Sequence, residues 1–292
     1  MKKTSILALT ACLFAALCLA LVGCGGQQSD AAKTDDAAKT EDTAKTDTAA
    51  AGKYTLVTDG TLTCISETGF APFEYIDVTS GSTDPVGYDI DVANEVAKRL
   101  NLKCVFLPSQ DFDTLLPTIK DGNKADIAIA GITINPEREE VVDFTDPYYD
   151  SNLALVVKKD SAETLESLNN VEKKVACQTG TTGEDWIKEK LTEATRVPLP
   201  EVAAGLGGVQ TGLYDAYIID LPVAQKNLAD SYADLAIKEN IPTGEQFGIG
   251  VSKNNPELTK AINGVLADMK ADGTMQKIYD KWMINTEVPA EQ

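Results

Sequence analysis

The stretch AGITINPEREEVVDFTDPYY, residues 130–149, sets an arginine, Arg138, behind a Gly-x-Thr and an Asn-Pro turn and ahead of a run of acids. The chain has 26 basic residues but only three arginines, Arg99, Arg138 and Arg196. A guanidinium is a planar, permanently charged fork that can give a carboxylate two parallel N–H donors, which lysine cannot do. Taken alone, Arg138 also reads as a helix-surface residue pairing with Glu137 or Glu140. Other chemistry is excluded more firmly. The chain has no histidine, which removes Ser–His–Asp and Cys–His catalysis and any His-based metal site. It carries no Walker A loop, CxxC or EF-hand loop, and GLGGVQTG at 205–212 misses the dinucleotide fingerprint.

The elements that must position Arg138 follow a repeating order. TLTCIS (61–66), KCVFLP (103–108) and ADIAIAG (125–131) read as strands. GYDIDVANEVAKRL (87–100) places Ile90, Ala93, Val96, Ala97 and Leu100 at amphipathic-helix spacing, and FDTLLPTIKDG (112–122) is a second helix with Pro117 inside it. This β-α-β-α-β order predicts a parallel sheet with helices on both faces. The alternation resumes with strands at 152–159 and 173–178, a helix at 184–191, a strand at 195–199, a Gly-rich helix at 201–212, a strand at 215–220 and a helix at 222–230. One strand, QFGIGVSK (246–253), and two helices ending near Ile284 close the pattern. Ligands bind beyond the carboxyl ends of strands in such sheets, so the loops at 66–70, 131–138, 178–183 and near 220 are the candidate site.

The net charge of −19 argues against a nucleic-acid partner. Lys2 and Lys3, the apolar run at 6–22 and LVGC at 21–24 predict a lipoprotein signal over residues 1–23 with Cys24 as the lipidated cysteine. A plain signal peptide is the alternative. Residues 24–52 then carry the lipidated cysteine and a tether. AKTDDAAKTEDTAKTDTA (32–49) repeats every six residues and holds no large apolar side chain, so it cannot bury a core. Cys64, Cys104 and Cys177 remain. An odd number cannot all pair internally, and a Cys64–Cys104 disulfide or buried free thiols both fit strand-like runs.

At the candidate loops the chain resembles the polar amino-acid-binding proteins of ABC uptake systems, solute-binding protein family 3. The resemblance covers about residues 60–285. It rests on GFAPFEY (69–75), GYDIDVANEVAKRL (87–100), FDTLLPTI (112–119), DIAIAGITINPERE (126–139), VDFTDPYY (142–149), GTTG (180–183), YDAYIIDLPVA (214–224) and DGTMQKIYDKW (272–282). It implies a type II periplasmic-binding fold, α/β in class, with two lobes joined by two crossover strands. Lobe 1 is expected at 54–150 with 249–288, and lobe 2 at 151–248. The implied function is capture of an L-amino acid for an ABC importer, with permease subunits as partners, no cofactor, a monomeric state and an extracytoplasmic, lipid-anchored location.

The resemblance also implies roles. Arg138 clamps the ligand α-carboxylate. Thr133 adds its N–H to the carboxylate and its hydroxyl to the ammonium, and the Gly131 carbonyl accepts from the ammonium. The N–H groups of Thr181 and Thr182 open a helix and suit an anion. Asp220 pairs with the α-ammonium, or else caps the helix after it. Phe70 and Phe112 flank the ligand side chain, with ordinary core packing as the alternative. Asp89 and Asp91 are expected to be structural, and Tyr148 and Tyr149 to pack and hinge. Glu67 stands where basic-amino-acid binders of the family carry an acid, which favours arginine, lysine, ornithine or histidine. Gln178, near the side-chain pocket, suits a neutral amide, so glutamine or cystine is the alternative. The rival functions are a dehydratase using Glu67 as general acid and a ligand-sensing module.

Overall fold

The computed structural model describes residues 54–283. The expected signal segment, tether and Cys24 lie outside the described residues.

Along the chain, β1 (Thr61–Ile65), β2 (Gly69–Phe70), β3 (Glu74–Ile76) and β4 (Pro85–Val86) precede α1 (Tyr88–Arg99). Next come β5 (Lys103–Phe106), α2 (Phe112–Ile119), β6 (Ile127–Ala128), α3 (Pro136–Val141) and β7 (Asp143–Phe144). A long strand β8 (Tyr149–Lys158) leads to α4 (Leu165–Leu168), β9 (Lys174–Gln178), α5 (Thr182–Lys190), β10 (Thr195–Leu199), α6 (Val202–Thr211), β11 (Ala216–Asp220) and α7 (Leu221–Asp230). The described chain ends with β12 (Leu235–Phe247), β13 (Gly250–Val251), α8 (Pro256–Ala271) and α9 (Thr274–Trp282).

Two five-stranded sheets result, ordered β5-β1-β6-β13-β7 and β10-β9-β11-β8-β12, with a small sheet β2-β3-β4 beside them. Strands of the first sheet come from 61–144 and 250–251, and those of the second from 149–247. The chain therefore passes between the sheets twice, entering β8 and leaving β12.

The family resemblance implies for each lobe a mainly parallel sheet flanked by helices, and the observed sheets are mixed, with parallel and antiparallel pairs in each. β1 runs parallel to β5 and β6, and β9 parallel to β10 and β11, as the helical crossovers require. β8 arrives from the first sheet without a helix and lies antiparallel to β11 and β12. β13 returns antiparallel to β6 and β7. The strand expected at 246–253 is two strands. Phe247 closes β12 in the second sheet, and Gly250 opens β13 in the first. The first ten residues of β12 were not legible as a strand, because LAIKENIPTG is polar and edge-exposed on one side.

Burial explains the central strands. Leu153–Val157 of β8 is a continuous buried apolar run, which suits a strand covered on both faces. α1 seats Ile90, Ala93, Val96 and Ala97 inside, and α2 continues through Pro117. An aromatic cluster sits at the two chain passages. The Phe73 ring lies 4.8 Å from Tyr149 and 5.2 Å from Phe247, and Tyr149 stacks on Phe247 at 5.7 Å. Rings at these separations add about 0.5–1.5 kcal/mol per pair beyond area burial. Cys64 and Cys104 are free, with sulfurs 3.7 Å apart, and Cys177 is a buried thiol.

Candidate functional site

The loop after β6 is set by Gly131. Its φ is +53°, and a Cβ there would stand 2.8 Å from the Phe70 ring, so only glycine fits. The Gly131 N–H donates to Asp89 Oδ2 at 2.7 Å, and the Tyr148 hydroxyl donates to the same oxygen at 2.8 Å. The place of Asp89 at a helix start predicts a structural role. In the fold it is the carboxylate that orients Gly131. Fully buried Glu74 lies beside it, and burial, then Asp89, pushes the Glu74 carboxyl well above the usual range. Burial lifts Asp89 to about 6, while the Gly131 and Tyr148 bonds hold it down.

Asn135 caps α3, its Oδ1 accepting from the Arg138 N–H at 2.8 Å, and Pro136 follows at the first helical position. This short helix aims Arg138 inward, so the surface alternative fails: neither Glu137 nor Glu140 pairs with it. Its Nη1 donates to the Thr133 carbonyl at 2.7 Å, and Nη2 to the Gly180 carbonyl at 3.0 Å. The guanidinium lies over the Phe112 ring, 5.3 Å from the centroid. Burial lowers its pKa, and Glu245 and Asp220 oppose that.

From the second sheet, Thr181 is the N-cap of α5 and Thr182 its first residue. The structure separates the two as anion donors. The Thr181 N–H is turned to the Gln178 carbonyl at 3.4 Å, and its hydroxyl donates to the same carbonyl at 2.7 Å. Glu184 Oε2 takes the Gly180 N–H at 2.7 Å. The expected role of Thr181 is thus corrected to capping, because the turn consumes its donors. The Thr182 N–H, at the first helical position, has no intrahelical acceptor. Asp220 ends β11 and starts α7, yet its side chain makes no cap hydrogen bond. Ser151 donates to its Oδ1 at 3.0 Å instead. Burial and the Glu245 charge push Asp220 up to about 8, against Ser151 and Arg138.

The far end joins Glu67 to Gln178. Gln178 Nε2 donates to both Glu67 oxygens at 2.8 Å and to the Pro200 carbonyl at 3.0 Å. Gln178 Oε1 is buried with no protein partner. Burial raises Glu67 to about 7, and the Gln178 bond restrains it. A hollow of about 350 Å³ borders Glu67, lined among others by Gly69, Asp111 and Glu201. Phe70 stands against Gly131, and Phe112 lies under Arg138.

Sequence reasoning missed Glu245. Its Oε2 accepts from the Thr133 hydroxyl at 3.2 Å and the Thr182 hydroxyl at 3.1 Å. Nothing in IPTGEQFG marks it, since it reaches the site only through the fold of β12. Among the described residues no His/Cys/Asp/Glu group could hold a metal, and no helix is long and apolar enough to cross a membrane.

The sequence profile of the bacterial extracellular solute-binding proteins, family 3, matches residues 62–285. The chain belongs to this family. Among family-3 relatives, a putative ABC transporter arginine-binding protein 2 of Escherichia coli K12 is 33% identical over 226 residues, 76% of this chain and 90% of the relative. The ABC transporter glutamine-binding protein GlnH of Bacillus subtilis 168 is 32% identical over the full length of both chains. An ancestral arginine-binding protein solved with arginine bound is 38% identical, with a TM-score of 0.71, covering 76% of this chain and 98% of that one. The family-3 fold expected from the motifs is therefore the fold observed.

Proposed function

We propose that this family-3 protein captures a basic L-amino acid outside the cytoplasm and delivers it to an ABC importer. The observation that carries the reading is the acceptor-rich pair at the far end: the Glu67 carboxylate against Gln178, whose Oε1 lacks a partner. Two acceptors there suit the distal guanidinium or ammonium of arginine, lysine or ornithine. The near end suits the zwitterion. Arg138, with the Thr182 N–H, takes the α-carboxylate, and Asp220, with the Gly131 carbonyl, takes the α-ammonium. Matching both charges offsets the cost of burying them. Arginine-binding relatives at comparable identity support the reading.

In this scheme residues 54–150 with 249–288 form one lobe and 151–248 the other, hinged at the passages beside Tyr149 and Phe247. Ligand first meets Arg138, the second lobe closes over it, and the closed form docks on the permease. Cys24 is the lipid anchor and 25–52 the tether. A flexible tether of that length reaches roughly 30 Å. The role is binding, not turnover. Glutamine stays as the second reading, since Gln178 could turn its amide to another amide and a glutamine-binding relative matches end to end.

Calorimetric titration with each L-amino acid, after partial unfolding to strip carried-over ligand, tests this. One-to-one binding of arginine or lysine is expected. Tight binding of glutamine alone would keep the clamp and remove Glu67 as selector. Binding of none would overturn the reading.

A further inference from the structure

Glu245 stands on β12 where its register against β8 shifts between Ile241 and Glu245. The shift brings Glu245 opposite Ser151, the residue whose hydroxyl holds Asp220. Two carboxylates thus converge from different strands. Thr133, on the loop after β6, and Thr182, at the start of α5, both donate to Glu245 Oε2. These are two residues already read as facing the ligand. The guanidinium of Arg138 is the nearby cation, yet Nη1 and Nη2 each direct one N–H to the Thr133 and Gly180 carbonyls. Neither carboxylate receives a hydrogen bond from it.

We propose that Glu245 is a second carboxylate for the ligand α-ammonium, sharing it with Asp220. The inference rests on the amino-acid-binding reading above. An ammonium has three donors, which match Asp220, Glu245 and the Gly131 carbonyl. It would also relieve the repulsion from Glu245 that, after burial, raises the proton affinity of Asp220. The threonine hydroxyls fix the Glu245 carboxylate before ligand arrives, so little ordering remains to be done on binding. A carboxylate standing in for the ligand's own carboxylate would bond to Arg138, and Glu245 does not.

The test compares L-arginine with 5-guanidinopentanoate, the same molecule without its α-ammonium, by calorimetry on the purified full chain. Glu245→Gln keeps an oxygen for both threonine hydroxyls and removes the charge. It is expected to weaken L-arginine at least tenfold and 5-guanidinopentanoate less than threefold, with the melting temperature little changed. Equal losses for both ligands, no loss, or tighter arginine binding would overturn the proposal. Asp220→Asn provides a second route that does not depend on Glu245→Gln folding. With Glu245 still in place, it should retain at least a tenfold preference for L-arginine over the analogue; complete loss of that preference would leave Glu245 no share. If the wild type takes glutamine instead, 5-amino-5-oxopentanoate replaces the analogue. A wild type that binds no amino acid overturns the parent reading, whereas normal wild-type binding with an indifferent Glu245→Gln overturns this inference alone.

Discussion

The Arg138 guanidinium bridges the two sheets through carbonyls of Thr133 and Gly180, and its planar fork is the feature lysine cannot reproduce. Arg138→Lys is expected to weaken ligand binding by at least about 2 kcal/mol, roughly thirtyfold. Unchanged affinity by calorimetry would remove the clamp. Glu67→Gln should weaken arginine much more than glutamine, because only the cationic side chain uses its charge. Equal effects on the two ligands would deny Glu67 a selecting role. Glu67, Asp89 and Asp220 were visible as acids near strand ends or helix starts. Glu245 was not, because a polar edge strand gives no sign of which acid faces inward.

At the level of elements, the loop after β6 depends on Gly131 and the N-terminus of α5 on Thr181. Gly131→Ala would force a Cβ against the Phe70 ring in a left-handed conformation. A loss of about 1–3 kcal/mol in urea unfolding is expected, together with weaker ligand binding because the loop to Thr133 shifts. A variant as stable and as tight-binding as wild type would show that the loop is not held as described. Thr181→Ala removes a cap bond to Glu184 and should cost about 1 kcal/mol. The helices and most central strands were legible from apolar spacing. The break of 246–253 into β12 and β13 was not, since its halves differ only in which sheet they join.

Across the whole molecule, the buried carboxyls make binding and stability depend on pH. Glu67 and Asp220 rise to about 7 and about 8, well above their unfolded values near 4. A raised acid binds more protons folded than unfolded, so its stabilisation is complete below pH about 4 and is lost as pH rises through its folded pKa. Ligand-free protein should therefore lose stability between about pH 5 and 8, read by urea midpoints; a rise over that range would contradict the assignment. A cationic ligand favours the ionised carboxylates. Binding near pH 6 should release protons, measured by titrating in buffers of different ionisation enthalpy, and affinity should climb toward pH 8. Proton uptake on binding would refute it.

The sequence alone determined the alternating α/β order and the family motifs, and it is the resemblance those motifs carry that proposes Arg138, Thr133, Asp220 and Glu67 as site residues. Local apolar periodicity and turn chemistry carry the α/β order, because each acts over a few residues. The tertiary structure decided what depends on contacts between distant segments: that Gln178 meets Glu67 from 111 positions away, that Asp89 steers Gly131, that Thr181 spends its donors on its own turn, and that a crossover strand delivers Glu245 beside Asp220. Those pairings are set by how segments far apart in the chain come together in the fold. No local pattern in either partner encodes that geometry.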